Sequence, residues 1–192
     1  LTLPLALDIP VDVGTLRYQA ASALELAGLR GRYTHQQGEH RLVLDQLLFA
    51  QGRYSGQLQL QGAAPMALQA QLQAHVALPE GTGPPGLARQ ALEGEAHVEG
   101  TLAGADARLQ ARARLRTAGP EGALDAQGPE ADLQAELRPW ADQPLHQAHL
   151  RARQIDLALL WPGAPRTRLS GELDAAPADG GWRAQARFDN PL

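Results

Sequence analysis

From Met66 to Leu78 the even positions read Met66, Leu68, Ala70, Leu72, Ala74, Val76 and Leu78, while Gln69, Gln71, Gln73 and His75 stand between them. Successive side chains of a strand point to opposite faces, so this alternation predicts one strand with an apolar face and a glutamine-rich face. Wound as a helix, the same residues scatter around the cylinder. The rhythm recurs downstream. Leu92, Ala96, Val98 and Leu102 oppose Glu93, Glu95, His97 and Glu99, and Ala107, Leu109, Ala111, Ala113 and Leu115 oppose Arg108, Gln110, Arg112, Arg114 and Arg116. Leu133, Ala135 and Leu137, then Leu169, Gly171 and Leu173, then Trp182, Ala184, Ala186 and Phe188 alternate with polar neighbours in the same way. Upstream, Leu42 and Leu44 begin one strand, and Tyr54, Leu58 and Leu60 lie on the next. Near Gln154 the apolar parity switches, from Leu150 and Ala152 to Ile155, Leu157 and Leu159, which predicts a bulge or a short break.

Proline- and glycine-rich turns separate the runs: 62–65, 79–86, Gly119-Pro120, Gly128-Pro129, 139–144 and 161–165. Strands joined by such short turns form an antiparallel meander rather than crossover connections. Two stretches, Gly14 to Leu29 and Leu87 to Leu92, are compatible with a short helix. No linker divides the chain, so residues 1–192 are expected to be one segment of an extended sheet. A sheet with one greasy face must cover it with a second sheet, close into a barrel, or curl into a gutter around something apolar. Patterning alone leaves the three open.

Composition narrows the use of that face. Hydrophobic residues make up 44% and charged residues 20%, the range of an ordered chain rather than a disordered one. No apolar run approaches the ~18 residues of a membrane-spanning helix. Aromatics are only 4% of the chain, so the apolar surface is mostly leucine and alanine, which suits a smooth lining at least as well as an interlocked core. All 17 basic residues are arginine, a bias that a GC-rich genome explains. The net charge of −4 argues against a phosphate-backbone binder. With no cysteine there is no disulfide framework, thiolate metal site or cysteine nucleophile. The opening Leu-Thr-Leu-Pro-Leu has no charged region before an apolar stretch and is not a signal peptide, and both ends read as cuts through a longer protein.

Candidate chemistry is sparse. His146 and His149 are an odd interval apart, which on one strand sends them to opposite faces; His35 and His40 are also oddly spaced and read as solvent-exposed. No metal site or cofactor is expected. Residues 81–86 match the Gly-x-Gly-x-x-Gly pattern, but Pro84 and Pro85 lack the N–H groups of a phosphate cradle, so the stretch reads as a loop. There is no Gly-x-Ser-x-Gly elbow around Ser22, Ser55 or Ser170. Glu93, Glu95 and Glu99 share one wet face, where solvated charge is the default rather than general acid–base work, so an enzyme is not expected. The row Arg108, Arg112, Arg114 and Arg116 lacks stacking aromatics and has acidic strands beside it, which favours cross-strand ion pairing over nucleic acid. Contact with anionic lipid headgroups is a second use for it.

The stretch from Leu44 to Gly62 (Leu-Asp-Gln-Leu-Leu-Phe-Ala-Gln-Gly-Arg-Tyr-Ser-Gly-Gln-Leu-Gln-Leu-Gln-Gly), followed by Pro65-Met-Ala-Leu, resembles the TamB family within the AsmA-like group. Pro139-Trp140 through Leu157, Ala164 to Gly171, and the closing Trp182 to Asn190-Pro191-Leu192 are similar in the same way. The likeness runs from about Leu24 to Leu192, in strand and glycine rhythm rather than catalytic signatures. It implies an all-β, long antiparallel meander curled into a β-taco-like half-pipe with an apolar concave face. It further implies a periplasmic protein of Gram-negative bacteria, anchored in the inner membrane and meeting the outer-membrane barrel TamA through regions outside this chain. The family is associated with phospholipid movement between membranes and with outer-membrane protein assembly.

The expected groove lining is Leu58, Leu60, Leu68, Leu72, Val76, Leu92, Val98, Leu102, Leu109, Leu115, Leu133, Leu137, Leu169, Leu173, Trp182 and Phe188, with phospholipid or another apolar cargo as ligand. The rival expectations are a two-layer β-sandwich serving adhesion or scaffolding, and a chaperone-like groove for unfolded outer-membrane strands. Bare edge strands at the two ends also predict edge-to-edge self-association.

Overall fold

The computed structural model describes residues 5–19, 23–49, 52–77, 91–118, 128–157, 165–178 and 181–191. They form eleven strands: β1 (Leu7–Gln19), β2 (Ala23–Gln36), β3 (Glu39–Phe49), β4 (Gly52–Gln61), β5 (Ala67–Ala77), β6 (Ala91–Thr101), β7 (Arg108–Ala118), β8 (Glu130–Leu137), β9 (Leu145–Ile155), β10 (Leu169–Ala178) and β11 (Gly181–Asp189). All lie in one sheet in sequence order, each antiparallel to the next. Among the described residues every strand touches only its sequence neighbours. Among the described residues the sheet is therefore open, not closed into a barrel, and no second layer faces it, so they do not form a β-sandwich. The surface of 13031 Å² fits a single layer, since a compact chain of 20.5 kDa exposes about 8,900 Å².

The helix expected within Gly14 to Leu29 is replaced by strands. Val13 pairs Leu29, Thr15 pairs Ala27 and Arg17 pairs Glu25, so β1 and β2 run on through the stretch as a hairpin. Its many alanines fit either period, and pairing along the alternation Leu7, Ile9, Val11 and Val13 decides for strand. The other candidate helix, Leu87 to Leu92, falls outside the described residues except for Ala91 and Leu92, which open β6. The expected break at Gln154 is a bulge: Leu169 pairs Ile155 while Gly171 pairs Ala152, and Gln154 sits at φ 55° with its N–H donating to Ser170 Oγ at 2.9 Å.

Turns at one end of the sheet are tied together. β2 and β3 join through Gln37 and Gly38, both with φ > 0, the geometry that matches strand twist in two-residue hairpins. Gly62 N–H donates to the Gly38 carbonyl at 2.6 Å, Leu102 N–H to the Met66 carbonyl at 3.1 Å, and Trp140 Nε1 to the Leu102 carbonyl at 2.6 Å. These bonds link the ends of β3 and β4, of β5 and β6, and of β6 and β8 across the rim.

Candidate functional site

Register builds the candidate surface. Val11, Gly31, Leu44, Gly56, Leu72, Ala96, Ala113, Leu133, Leu150, Leu173 and Ala186 are successive cross-strand partners, one row spanning all eleven strands. The next row on the same face is Ile9, Tyr33, Leu42, Leu58, Ala70, Val98, Ala111, Ala135, Ala148, Ala175 and Ala184. A third holds Leu60, Leu68, Gly100, Leu109, Leu137 and Leu145. Leu115 and Phe188 share a fourth row with Tyr54, Ala74, Gly94, Ala131, Ala152 and Gly171, and Val76 and Leu92 share a fifth with Gly52 and Thr117.

The expected lining thus falls on one face. Leu169 reaches it opposite Ile155 beyond the bulge, and Trp182 opposite Pro177. Leu102 differs. It lies past the end of β6, its backbone bonded to Met66 and Trp140, and so belongs to the rim. The expected lining left out Ile9, Val11 and Leu150, although their alternation with Asp8, Asp12 and Arg151 carries the same signal.

This face is the more sheltered one, although no second layer covers it among the described residues. In β7 Leu109 and Thr117 are buried while Arg108, Gln110, Arg112 and Arg114 are exposed; in β5 Leu68, Ala70, Ala74 and Val76 are half-buried between exposed glutamines. With no facing layer among the described residues, the shelter comes from side chains on neighbouring strands of the same face. A shallow concavity of about 240 Å³ lies there, bordered by Leu72, Ala96, Ala113, Leu115 and Leu133. Leu72 remains 44% exposed and Leu133 36%. Two larger concavities, of about 380 and 410 Å³, lie on the other face between long charged side chains such as Arg53, Glu93, Glu95 and Arg114.

The polar face is a set of charge ladders. Glu95, Arg114, Asp132, Arg151, Glu172 and Arg187 are successive partners, and so are Glu93, Arg116, Glu130 and Arg153. Arg114 Nε bonds Asp132, which holds the guanidinium pKa above the ordinary arginine value through that hydrogen bond and the carboxylate's charge. Glu130 receives Arg116 at 2.9 Å and Arg153 at 3.0 Å, and Arg151 meets Glu172 at 2.9 Å. The arginine row at Arg114 and Arg116 is therefore spent on cross-strand pairs, the arrangement that stabilises antiparallel neighbours.

The histidines do not gather into a metal centre. His149 Nδ1 meets Asp174 at 2.7 Å, and His146, the extra residue of a register shift, meets Arg138 at 3.0 Å. Among the described residues no group of three or more His, Asp or Glu side chains is placed to hold a metal ion. The expectation of solvent-exposed histidines fails at His35, which is 2% exposed. An odd interval separates faces only within one strand; across the two-residue turn His35 and His40 are direct partners on the apolar face, ring centroids 4.6 Å apart. His35 Nδ1 bonds the Leu5 carbonyl at 2.9 Å and Tyr33 OH meets His40 Nδ1 at 2.7 Å. The Gly-x-Gly-x-x-Gly stretch at 81–86 lies outside the described residues.

No helix among the described residues is long and apolar enough to cross a membrane. Comparison of the chain with protein-family models, with curated proteins and with solved structures finds no match in any of the three.

Proposed function

We propose that the apolar face is a groove for the acyl chains of phospholipid, and that the chain is an interior segment of a periplasmic bridge of the TamB kind, carrying lipid between the inner and outer membranes. The observation that carries the reading is an apolar surface continuous across eleven strands with no second layer against it among the described residues. A sheet that only needed a stable fold would bury that surface. At ~4.8 Å per strand the groove is about 48 Å long. Each methylene moved from water onto it gains ~0.8 kcal/mol, so ten covered methylenes contribute about 8 kcal/mol. Leucine and alanine side chains offer no hydrogen bond to hold one lipid in one place, so cargo shifts along the rows at little cost. No residue performs chemistry in this reading, and the partner at the outer membrane is met by other parts of a longer protein.

The test is photo-crosslinking with the probe placed at Leu72 or Leu133 on the apolar face, and at Gln71 or Arg112 on the polar face, in the presence of phospholipid vesicles. Lipid adducts are expected at the first pair and not the second. Equal labelling of both pairs sinks the groove.

A further inference from the structure

Glycine inside a strand weakens it, and marks a bulge, a tight bend, or a place where another backbone or a ligand comes close. On the apolar face, backbone accounts for Gly31, Gly56, Gly100 and Gly171. A Cβ at these positions would collide with a carbonyl oxygen of the next strand, that of Val43, Gln71, Arg108 and Arg187 respectively. At Gly52 the Tyr54 ring takes the space. Gly94, inside β6, is different. Its φ is not positive, and β6 pairs with β5 and with β7 without a register shift. The nearest neighbours of a Cβ there are Ala74 Cβ at 3.4 Å and Leu115 Cδ1 at 3.6 Å, ordinary contact distances. Neither bulge, bend nor backbone calls for glycine at this position.

What Gly94 supplies is depth. It lies in the floor of the concavity of about 240 Å³, among Ala74, Ala96, Ala113 and Ala131. One row across this floor reads Leu72, Ala96, Ala113, Leu133, two small side chains between two large ones. The alanines are half-buried and the leucines exposed, so the leucines stand up as walls. They are three strand spacings apart, about 14 Å at ~4.8 Å each. Leu115 closes one side in the neighbouring row. The result is a walled notch rather than a smooth stretch of lining.

The notch selects its occupant by chemistry. Its surface is almost wholly apolar. A peptide strand seated there would leave backbone N–H and C=O groups without partners, which costs free energy, whereas a hydrocarbon chain has none to satisfy. Its volume is also below the ~300–1,000 Å³ of pockets that enclose a whole small ligand, so it takes a segment of one chain.

We propose that the notch between Leu72 and Leu133 is a seat for one acyl chain, where cargo rests between movements along the rows, and that Gly94 is kept small to make room for it. The proposal rests on the groove reading above. The seat holds by packing, so it slows passage at one point and leaves the rest of the lining permissive.

The test fills the notch. A photo-crosslinking probe is placed at Leu72, or at Leu42 on β3, which is 43% exposed on the same face outside the notch. The 192-residue chain is then mixed with vesicles of phosphatidylcholine and phosphatidylglycerol. Gly94→Val and Ala96→Leu are each expected to lower lipid labelling at Leu72 severalfold and to leave labelling at Leu42 unchanged. Far-UV circular dichroism reports that the strands are kept. If the larger side chains unfold the sheet, Gly94→Ala, whose methyl meets only ordinary contacts, is expected to lower labelling at Leu72 about twofold. Labelling at Leu72 that is the same in filled and unfilled chains overturns the seat and leaves the groove standing. Equal loss at Leu72 and Leu42 also overturns it, since the effect is then not local. Labelling at Leu72 no stronger than at Gln71 in the unsubstituted chain overturns groove and seat together. Adducts of protein mass at Leu72, to a second copy or to a peptide, overturn the choice of a hydrocarbon chain.

Discussion

Strands β4 to β8 and strands β2 to β4 belong to the same sheet but are held to different tolerances. From β4 through β8 the pairing runs without a register shift, whereas β2 with β3 shifts twice, around Arg30, and β3 with β4 shifts between Leu44 and Leu47. The difference follows from what a one-residue slip costs. In β5 to β7 a slip turns Gln71, Glu95 or Arg112 onto the apolar face and breaks the Glu–Arg pairing of β6 with β7 on the other, so one register is strongly specified. In β3 the runs Leu42-Val43-Leu44 and Leu47-Leu48-Phe49 are apolar on both faces, and a bulge sacrifices little. Strict alternation with complementary charge makes straight, continuous rows; relaxed alternation lets the sheet bend.

The most damaging way to break the regular block is through its backbone. Gly100 in β6 has φ +148° and a Cβ there meets the Arg108 carbonyl oxygen at 2.0 Å, whereas at Gly94 on the same strand the nearest neighbour is Ala74 Cβ at 3.4 Å. Gly100→Ala is expected to cost about 3 kcal/mol and Gly94→Ala to stay within about 0.5 kcal/mol, read as shifts of the urea unfolding midpoint. Equal costs would mean that the close approach of β7 at Gly100 is not required.

Next in size is the separation of leucines that hold the sheet from leucines that line the groove. Leu109 is 8% exposed and Leu72 is 44% exposed on the same face. Leu109→Ala is expected to lose 2–3 kcal/mol of stability at roughly unchanged lipid capture per folded molecule. Leu72→Ala is expected to lose under about 1 kcal/mol while reducing capture. If both lose only stability, the face is a core awaiting a cover rather than a lining.

Much of this was legible in the sequence because period two needs only one strand to be seen. Leu68 to Val76, Leu109 to Leu115 and Trp182 to Phe188 announce their faces locally, and the parity switch at Gln154 announces the bulge. What stayed hidden depends on pairing. The facing of His35 and His40 requires knowing that Gln37 and Gly38 make a two-residue turn, after which partners are five apart. The ladders through Glu95, Arg114 and Asp132 require the register of three strands. The hairpin at Gly14 to Leu29 was hidden because alanine suits both periods.

The charge ladder is a finer instrument on the same contrast. Arg114 stands between Glu95 and Asp132, while Arg41 in the bulged region stands between Thr34 and Gln59. Arg114→Glu sets three acidic groups in a row and is expected to cost about 1 kcal/mol at low salt, shrinking at 1 M salt as screening shortens the reach of charge. Arg41→Glu is expected to be near neutral at both. An Arg114→Glu cost that ignores salt would assign the ladder's role to packing of the arginine stem instead.

The smallest expected effect lies where the apolar face turns polar. Tyr33, His35 and His40 occupy the rows that Leu58 and Leu60 continue in β4, so a hydrogen-bonded patch interrupts the lining beside the bulges. Removing the Tyr33 hydroxyl takes away one partly buried bond to His40 and leaves the ring in place, so Tyr33→Phe is expected to cost about 0.5–1 kcal/mol. Its signature is local. Amide exchange in β2 and β3 quickens, because each opening there now breaks one fewer bond, while β5 to β8, whose register rests on alternation and charge, keeps its protection. Faster exchange spreading equally through β5 to β8 would show that the two regions open as one unit, and that the tolerance seen around Arg30 and Leu47 belongs to the whole sheet.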